Sequence, residues 1–426
     1  MDSTLTKQEP TPSDAAGTKP LRILVINEFF YPENMGGSGS TTSDRVAGFI
    51  KRGGVDVTAI TSIYAYRDPD VRYASNENWG EVKIHRVKSP NWGREKKLVK
   101  RFLGNLSFSL LVALKALRLP RPDVVMLTTA PTTGPVTGVI LRALWRVPYV
   151  YLIYDLDPDR TVALGFKTNS SKGVVFLRGL QRKWLHKADR VIALGRCMRD
   201  HLIEQYDLDP SRIVVVESVV PDAMRPVSKD TEFRRSNSIS GLVVLYSGNF
   251  GQYHDFDTLL NAAEKLQGAR PDITFVMVGG GAKKEYVEQV VAQKKLANVR
   301  LFPFVPEEEL ADLMGSADVH IVTLDPRMEG LAVPGKFYTC LASGRPVIAI
   351  MSAGTEVAKV IDEADLGWQV EVGDAESLIE ILNTVDPKEL EAQGLRARDA
   401  YDRLYTGDRL SERLLEVLSN CAKSNR

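Results

Sequence analysis

The stretch of sequence that decides the fold runs Gly330-Leu-Ala-Val-Pro-Gly-Lys336-Phe-Tyr-Thr-Cys-Leu-Ala-Ser-Gly344-Arg-Pro-Val-Ile-Ala-Ile350. Its pattern predicts a tight loop, a helix over residues 335–343, a stop at Gly344 and a buried strand over 346–350. A loop that leads into a helix presents unpaired backbone N–H groups and the positive end of the helix dipole. Lys336 adds a full positive charge in the first turn, where the dipole disfavours a cation unless an anion is bound. The stretch therefore predicts a phosphate-binding site.

Strand and helix patterns alternate on both sides of this stretch. Apolar runs typical of buried parallel strands occur at residues 23–26, 55–60, 124–127, 149–153, 191–193 and 213–216, and again at 243–246, 274–278, 299–302, 319–322, 347–350 and 367–370. Helical patterns lie between several of these strands, at residues 41–51, 98–117, 138–145, 174–186, 256–266, 284–294, 307–315, 335–343 and 375–382. The polar stretch 227–240 is the predicted linker. A chain of 426 residues is also long for a single core. We therefore predict an α/β fold with two doubly wound, Rossmann-like domains.

Glycine-rich loops follow the first strand of each predicted domain. Gly36 and Gly37 lie between the first strand and the first helix, and Gly248-Asn249-Phe250-Gly251 occupies the equivalent place in the second half. A third loop, residues 279–284, ends in Lys284 and precedes a helix. Loops at the carboxyl ends of parallel strands in both domains predict a ligand between the domains. A flexible turn is the alternative interpretation of the first loop, and its spacing does not fit a dinucleotide fingerprint.

Composition and charge limit the classes of partner. The chain is 44% hydrophobic and 26% charged, as expected of a globular protein. Residues 1–240 hold 36 Lys and Arg against 25 Asp and Glu, whereas residues 241–426 hold 19 against 29. Three scattered cysteines predict a reduced, cytoplasmic setting without disulfides or zinc. Residues 1–20 are polar and rich in Ser, Thr and Pro, which predicts a disordered tail rather than a signal peptide.

Much of the positive excess lies in one region. Residues 83–121 contain eleven Lys and Arg and one acid, Glu95. Within it, residues 95–117 place a basic cluster before an apolar helix that includes Phe102, Leu103, Leu106 and Leu110. This pattern fits a surface helix attracted to anionic lipid, and a core-packing helix with a solvated basic end is the alternative. No nucleic-acid partner is expected, because the cluster carries no recognised nucleic-acid-binding module.

These motifs together resemble the family-4 glycosyltransferases of the GT-B fold, from Leu21 to about Asn420. The resemblance is carried by Tyr31-Pro-Glu with Gly36-Gly37, Tyr154-Asp-Leu-Asp-Pro, Tyr246-Ser-Gly-Asn-Phe-Gly, Phe304-Val-Pro and Val333-Pro-Gly-Lys336. It is strongest to the subgroup that assembles bacterial surface polysaccharides and lipid-linked oligosaccharides. It implies retaining transfer of a sugar from a nucleotide-sugar donor to a glycan or lipid-linked acceptor, without a metal ion or other cofactor. The implied place of action is the cytoplasm or the inner face of the plasma membrane.

The resemblance also assigns domains and residues. Residues 21–226 would form the acceptor-side domain, residues 227–400 the nucleotide-sugar-binding domain, and residues 401–426 a helix that crosses back to the first domain. The family's two glutamates, separated by seven intervening residues, would fall on Leu331 and Thr339, so Glu329 is the candidate to replace the first. The cations that hold the diphosphate would fall near Asn249 and His254, so Lys336, Lys284 and the 330–333 backbone are expected instead. The predicted catalytic residues are Asp155, Glu329 and Lys336, and the predicted donor-binding residues are Gly36, Gly37, Gly248, Asn249, Lys284, Val305, Gly330, Leu331, Ala332, Val333 and Thr339.

Three alternatives remain open at this stage. A GT-B-fold sugar-nucleotide epimerase would bind the same donor without an acceptor. The missing family charges also fit a catalytically inactive nucleotide-sugar-binding protein. A Rossmann dehydrogenase has the least support. Asp155 has an alternative role of its own, as a cap of the loop that follows its strand.

Overall fold

The computed structural model describes residues 19–32, 37–65, 68, 70–90, 98–220 and 224–424, without the side chains of residues 37, 38 and 98. Most of the predicted tail, Gly36 and the predicted basic cluster at Arg94, Lys96 and Lys97 lie outside the described residues. The predictions for these segments therefore stay predictions.

The first domain is built on an eight-stranded sheet with the strand order β3-β4-β2-β1-β5-β6-β7-β8. Seven strands are parallel, and the edge strand β3 pairs antiparallel with β4. Helices cover both faces of the sheet, so that the central strand β5 is buried along its whole length. The strands and helices are β1 (Leu21–Ile26), α1 (Gly37–Arg52), β2 (Val55–Ser62), β3 (Asn76–Trp79), β4 (Val82–Val87), α2 (Leu98–Ala116), β5 (Val124–Thr128), α3 (Pro135–Trp145), β6 (Tyr149–Leu152), α4 (Asp159–Ala163), α5 (Lys172–Lys187), β7 (Arg190–Ala193), α6 (Arg196–Tyr206) and β8 (Ile213–Val215).

The second domain holds a six-stranded, all-parallel sheet with the strand order β11-β10-β9-β12-β13-β14. A short helix, α7 (Glu232–Ser236), lies in the predicted linker. The remaining elements are β9 (Leu242–Ser247), α8 (Asp257–Ala269), β10 (Ile273–Val278), α9 (Lys284–Lys294), β11 (Val299–Phe302), α10 (Leu310–Gly315), β12 (Val319–Thr323), α11 (Lys336–Ala342), β13 (Val347–Ile350), α12 (Glu356–Ala364), β14 (Gly367–Val370), α13 (Ala375–Thr384), α14 (Pro387–Ala400) and α15 (Gly407–Lys423).

The last helix, α15, packs on α1 of the first domain. Its apolar face, Leu410, Leu414 and Leu418, is fully buried. The two helices approach so closely that a Cβ at Gly48 would lie 2.0 Å from Oγ of Ser411. Ion pairs line the exposed edge of this contact, such as Arg52 with Glu412 at 2.7 Å. Helix α15 therefore returns from the second domain to the first.

The predicted doubly wound α/β architecture is confirmed, and every predicted strand is present. The hairpin β3–β4 was not predicted, because β3 is short and polar and one face of the hairpin is solvated. Helices α6, α12 and α14 were also not predicted. In each sheet the strand order reverses once, between β1 and β5 and between β9 and β12. Crevices for ligands form at the carboxyl ends of strands at such reversals.

Candidate functional site

Lys336 lies at the point where the second sheet reverses. Its ammonium donates a hydrogen bond to the hydroxyl of Tyr246, at 2.5 Å, and lies 3.9 Å from the centre of that ring. The Tyr246 hydroxyl in turn donates to the carbonyl of Asn249, at 2.6 Å. Burial lowers the pKa of Lys336 to about 7. Lys336 is thus held against the Gly248 loop as a desolvated cation whose charge an anion would stabilise.

The two glycine loops of the second domain touch each other through their backbones. Gly248 has a φ of +132°, and a Cβ there would lie 3.3 Å from the Lys336 ammonium. Gly279 has a φ of +139°, and a Cβ there would lie 1.9 Å from the Gly248 carbonyl. The loops are joined by hydrogen bonds such as that from Phe250 N–H to the Gly280 carbonyl, at 2.8 Å. Glycine is required at both positions for the conformation and the close approach.

Some backbone N–H groups of the loop before α11 are already hydrogen-bonded within the loop. The N–H groups of Leu331 and Ala332 both donate to the Met328 carbonyl, at 3.0 and 3.3 Å. Within the described ranges, the N–H groups of Gly330 and Val333 have no hydrogen-bond partner and could donate to a phosphate. Helix α11 has seven residues, so its dipole is weaker than that of the longer predicted helix. The charge of Lys336 is therefore the main cationic feature of this loop.

The same loop also touches the first domain. A Cβ at Gly330, whose φ is +72°, would lie 3.1 Å from Cβ of His201 on α6. A Cβ at Gly335 would lie 3.3 Å from the side chain of Ser218, which follows β8. The 330–335 loop therefore lies between the Gly248 loop and the first domain.

His254 is a neutral neighbour of this cation. It is buried, and its Nδ1 lies 2.7 Å from the Thr323 carbonyl. Burial, reinforced by the Lys336 ammonium, lowers the pKa of His254 to about 3. Lys283 donates to the His254 carbonyl at 2.7 Å, so that its charge also lies near this loop.

Asp155 lies on the first-domain side, three residues after β6. Its carboxylate pairs with Arg160 at 3.0 Å, and Arg160 also binds Asp157 at 2.8 Å. Burial raises the pKa of Asp155, whereas the Arg160 charge opposes that shift. Helix α4, which carries Arg160, contacts the second-domain turn Pro326–Met328. The cluster therefore faces the crevice from the opposite domain to Lys336.

The other predicted residues have contacts of their own. Glu329 is exposed and lies over Gly354, where a Cβ would be 2.1 Å from its Oε1. Lys284 donates to the Phe302 carbonyl at 3.2 Å and lies 5.0 Å from the Phe250 ring centre. Val305 and Thr339 are partly buried. Gly37 is the first residue of α1, and Gly36 lies outside the described residues.

Two partners of the predicted residues were not given roles from the sequence. Tyr246 fixes Lys336 across 90 residues, and Arg160 neutralises Asp155 and Asp157. The Tyr246-Ser-Gly-Asn motif was noted, but its pairing with Lys336 depends on β9 lying beside β12. Among the described residues, no three His, Cys, Asp or Glu side chains form a group that could hold a metal ion.

Helix α2 packs on the first domain through one face and exposes apolar side chains on the other. One face, including Phe108 and Val112, is buried in the domain core. The other exposes Leu103, Leu110 and Leu114, which are 43–52% accessible. Phe102 contacts Phe176 of α5, with ring centres 6.3 Å apart. None of the helices in the described part of the chain has the length and apolar character needed to cross a bilayer.

Comparisons with known proteins agree with this geometry. A family model described as a glycosyl transferase 4-like domain matches residues 36–218, and one described as glycosyl transferases group 1 matches residues 241–385. The chain is 26% identical to a probable glycosyltransferase, WbjE, of Pseudomonas aeruginosa, covering 90% of this chain and 94% of that protein. It is 24% identical to the putative colanic acid biosynthesis glycosyl transferase WcaI of Escherichia coli K12, covering 80% of this chain and 86% of that protein.

Solved structures show the same fold at lower identity. Sucrose-phosphate synthase of Thermosynechococcus elongatus superposes with a TM-score of 0.75 and 17% identity, over 95% of this chain and 100% of that one. HepE of Anabaena, solved in complex with UDP and glucose, superposes with a TM-score of 0.70 and 16% identity, over 94% of this chain and 100% of that one.

Proposed function

The chain belongs to the glycosyltransferases of the GT-B fold, and we propose that it is a retaining, family-4 enzyme of surface polysaccharide synthesis. It moves a sugar from a nucleotide-sugar donor to a glycan or lipid-linked acceptor. The Escherichia coli relative, named for colanic acid biosynthesis, supports this class of acceptor. The HepE complex with UDP and glucose supports a nucleotide-sugar donor.

The position of the Lys336 ammonium, on the Tyr246 hydroxyl and beside Gly248, is the observation that carries this proposal. Breaking the donor's glycosidic bond leaves negative charge on the nucleoside diphosphate. A preorganised cation and N–H donors aimed at that charge are the largest contribution a site of this kind can make. Lys336 with the Gly330 and Val333 N–H groups supplies these donors, and the proposed transfer therefore requires no metal ion.

The acceptor approaches from the side of Asp155. In a retaining transfer of this kind, the donor phosphate can itself take the proton of the acceptor hydroxyl. A pair of acid and base carboxylates, as in glycosidases, is then not needed. Asp155 acts on the acceptor or on the donor sugar by orientation, and Arg160 holds its carboxylate in place.

A donor screen followed by transfer tests the proposal. Nucleotide sugars with uridine, guanosine or thymidine bases are ranked by the rise in melting temperature that they cause, since a ligand of the native state stabilises it by mass action. The best donor is then incubated with lipid-linked acceptors, and the anomeric configuration of the product is determined by NMR. An inverted product would exclude a retaining mechanism. Epimerisation of the donor alone would identify an epimerase, and binding without transfer an inactive binding protein.

The outer surface of α2 and α5 is the proposed contact with an anionic membrane. Val99, Leu103, Val175 and Phe176 are exposed apolar residues there. Lys100 and Arg101, in the first turn of α2, supply positive charge there. Apolar side chains combined with basic charge are the features that bind a helix to the surface of anionic lipid. This location would bring the crevice to a lipid-linked acceptor.

A further inference from the structure

A carboxylate of the second domain lies on the N-terminus of a helix of the first. Glu356, the first residue of α12, is 7% exposed. Its Oε2 accepts hydrogen bonds from the backbone N–H groups of Arg196 and Cys197, which open α6. Its Oε1 accepts a third from Nε of Arg196, at 2.8 Å. A helix N-terminus and a guanidinium are both favourable partners for a buried carboxylate.

The sequence around this contact allows the close approach. A Cβ at Gly195 would lie 2.7 Å from Cγ and 2.9 Å from Oε2 of Glu356. The φ of Gly195 is −170°, an extended conformation that any residue adopts, so the space for the carboxylate demands the glycine. Arg196 extends the contact to a second acid of α12, Glu363, at 2.8 Å.

The same helix also carries the proposed donor loop. The Gly330 backbone lies against α6, where its Cβ would be 3.3 Å from the Cys197 carbonyl. The Cys197 thiol donates to the Gly354 carbonyl at 3.1 Å, and Glu329 lies over Gly354. Residues 329–330, after β12, and residues 354–356, after β13, therefore meet at the first turn of α6. A shift of α6 relative to the second domain would move both loops.

We propose that Glu356 is a positioning residue that docks the second domain on α6 and thereby holds the Gly330 loop in its donor-binding arrangement. This role deepens the proposed function, because the loop it holds is the proposed diphosphate site. Within the described part of the chain, Glu356 has no hydrogen bond or ion pair with Lys336 or Tyr246.

Cys197 provides a measurement that does not depend on activity. Cys197 is 9% exposed, and its thiol contacts the Gly354 carbonyl and the Lys359 ammonium, which lies 3.4 Å from the sulfur. Separation of Glu356 from the first turn of α6 would expose this thiol to a thiol reagent. Cys340 and Cys421 are buried on other elements and report whether the rest of the fold is intact.

The experiment compares the labelling rates of the three cysteines by N-ethylmaleimide, resolved by peptide mass spectrometry. Loss of a charge-assisted hydrogen-bonded contact in Glu356→Gln should raise the Cys197 rate about tenfold or more, with the Cys340 rate unchanged. Glu363→Gln is the matched control, because it removes the exposed partner of Arg196, and should change the Cys197 rate less than about threefold. An unchanged Cys197 rate in Glu356→Gln would overturn the proposal.

A second variant covers the case in which Glu356→Gln also alters Cys340 labelling. Gly195→Ala displaces the same carboxylate from the opposite side, and it should raise the Cys197 rate with Cys340 unaffected; a wild-type Cys197 rate there would reject the role of Glu356. Adding UDP or GDP to the wild type should slow Cys197 labelling. In Glu356→Gln, the donor KM should rise by a larger factor than that by which kcat falls. If neither nucleotide changes the labelling rate, the proposed donor site at the Gly330 loop is wrong. The labelling of the variants still tests whether Glu356 holds the second domain on α6.

Discussion

Replacing Lys336 with methionine should separate the contribution of this residue to catalysis from its cost to folding. The lysine has an ordinary pKa of 10.5 in the unfolded chain and a pKa of about 7 in the folded protein. Between these values the unfolded chain binds more protons, so the destabilisation is complete below pH 7 and is relieved as the pH rises towards 10.5. Each unit of pKa difference corresponds to about 1.4 kcal/mol, so the cost at pH 7 is on the order of a few kcal/mol.

Lys336→Met removes this cost while keeping a side chain of similar length. We expect its melting temperature at pH 7 to rise by about 5 °C, and the gain to shrink as the pH approaches 10. Turnover should fall about 10²- to 10³-fold, as for the loss of one transition-state donor. A substitution that raises stability while it lowers activity is typical of a functional residue whose placement destabilises the fold.

The assay pairs thermal unfolding with nucleoside diphosphate binding at pH 7.5, 8.5 and 9.5. In the wild type, binding should weaken by about tenfold per pH unit, because the anion requires the protonated lysine. Lys336→Arg stays charged, so its affinity should be independent of pH in this range. A methionine variant that melts at or below the wild-type temperature would refute the desolvation argument. Wild-type affinity in that variant would remove Lys336 from the site.

Three further variants test other parts of the molecule. Gly330→Ala should cost about 1–2 kcal/mol in unfolding free energy and weaken donor binding, because φ is +72°. Its control is Gly173→Ala, on helix α5, where no atom lies within 4 Å of the added Cβ. In a denaturant titration of both proteins, this control should be neutral or stabilising. The double charge reversal of Lys100 and Arg101 to Glu should lower co-sedimentation with anionic vesicles about tenfold or more, and unchanged binding would argue against the membrane surface. Asp155→Asn should raise the acceptor KM while leaving nucleotide affinity intact, and a selective loss of nucleotide binding would contradict its placement.

The sequence predicted the elements better than the contacts between them. Buried parallel strands such as β5 are continuous apolar runs, which local patterns reveal. The polar strand β3 carries no such run and was missed. Lys336 stood out as a cation in a glycine loop, but its partner Tyr246 follows from the neighbouring positions of β9 and β12. Contacts across the domains, such as Glu356 with Arg196, join residues 160 positions apart and leave no local pattern.

The position of α15 has a consequence for how the polypeptide acquires its structure. The surface of the first domain around α1 is completed by Leu410, Leu414 and Leu418, which are synthesised after every strand of both sheets. Domains that are contiguous in sequence can fold during synthesis, N-terminal first. Here a fragment that ends before α15 would leave an apolar patch on α1 uncovered. We therefore expect the isolated N-terminal half to aggregate unless a peptide spanning 407–423 is supplied in trans.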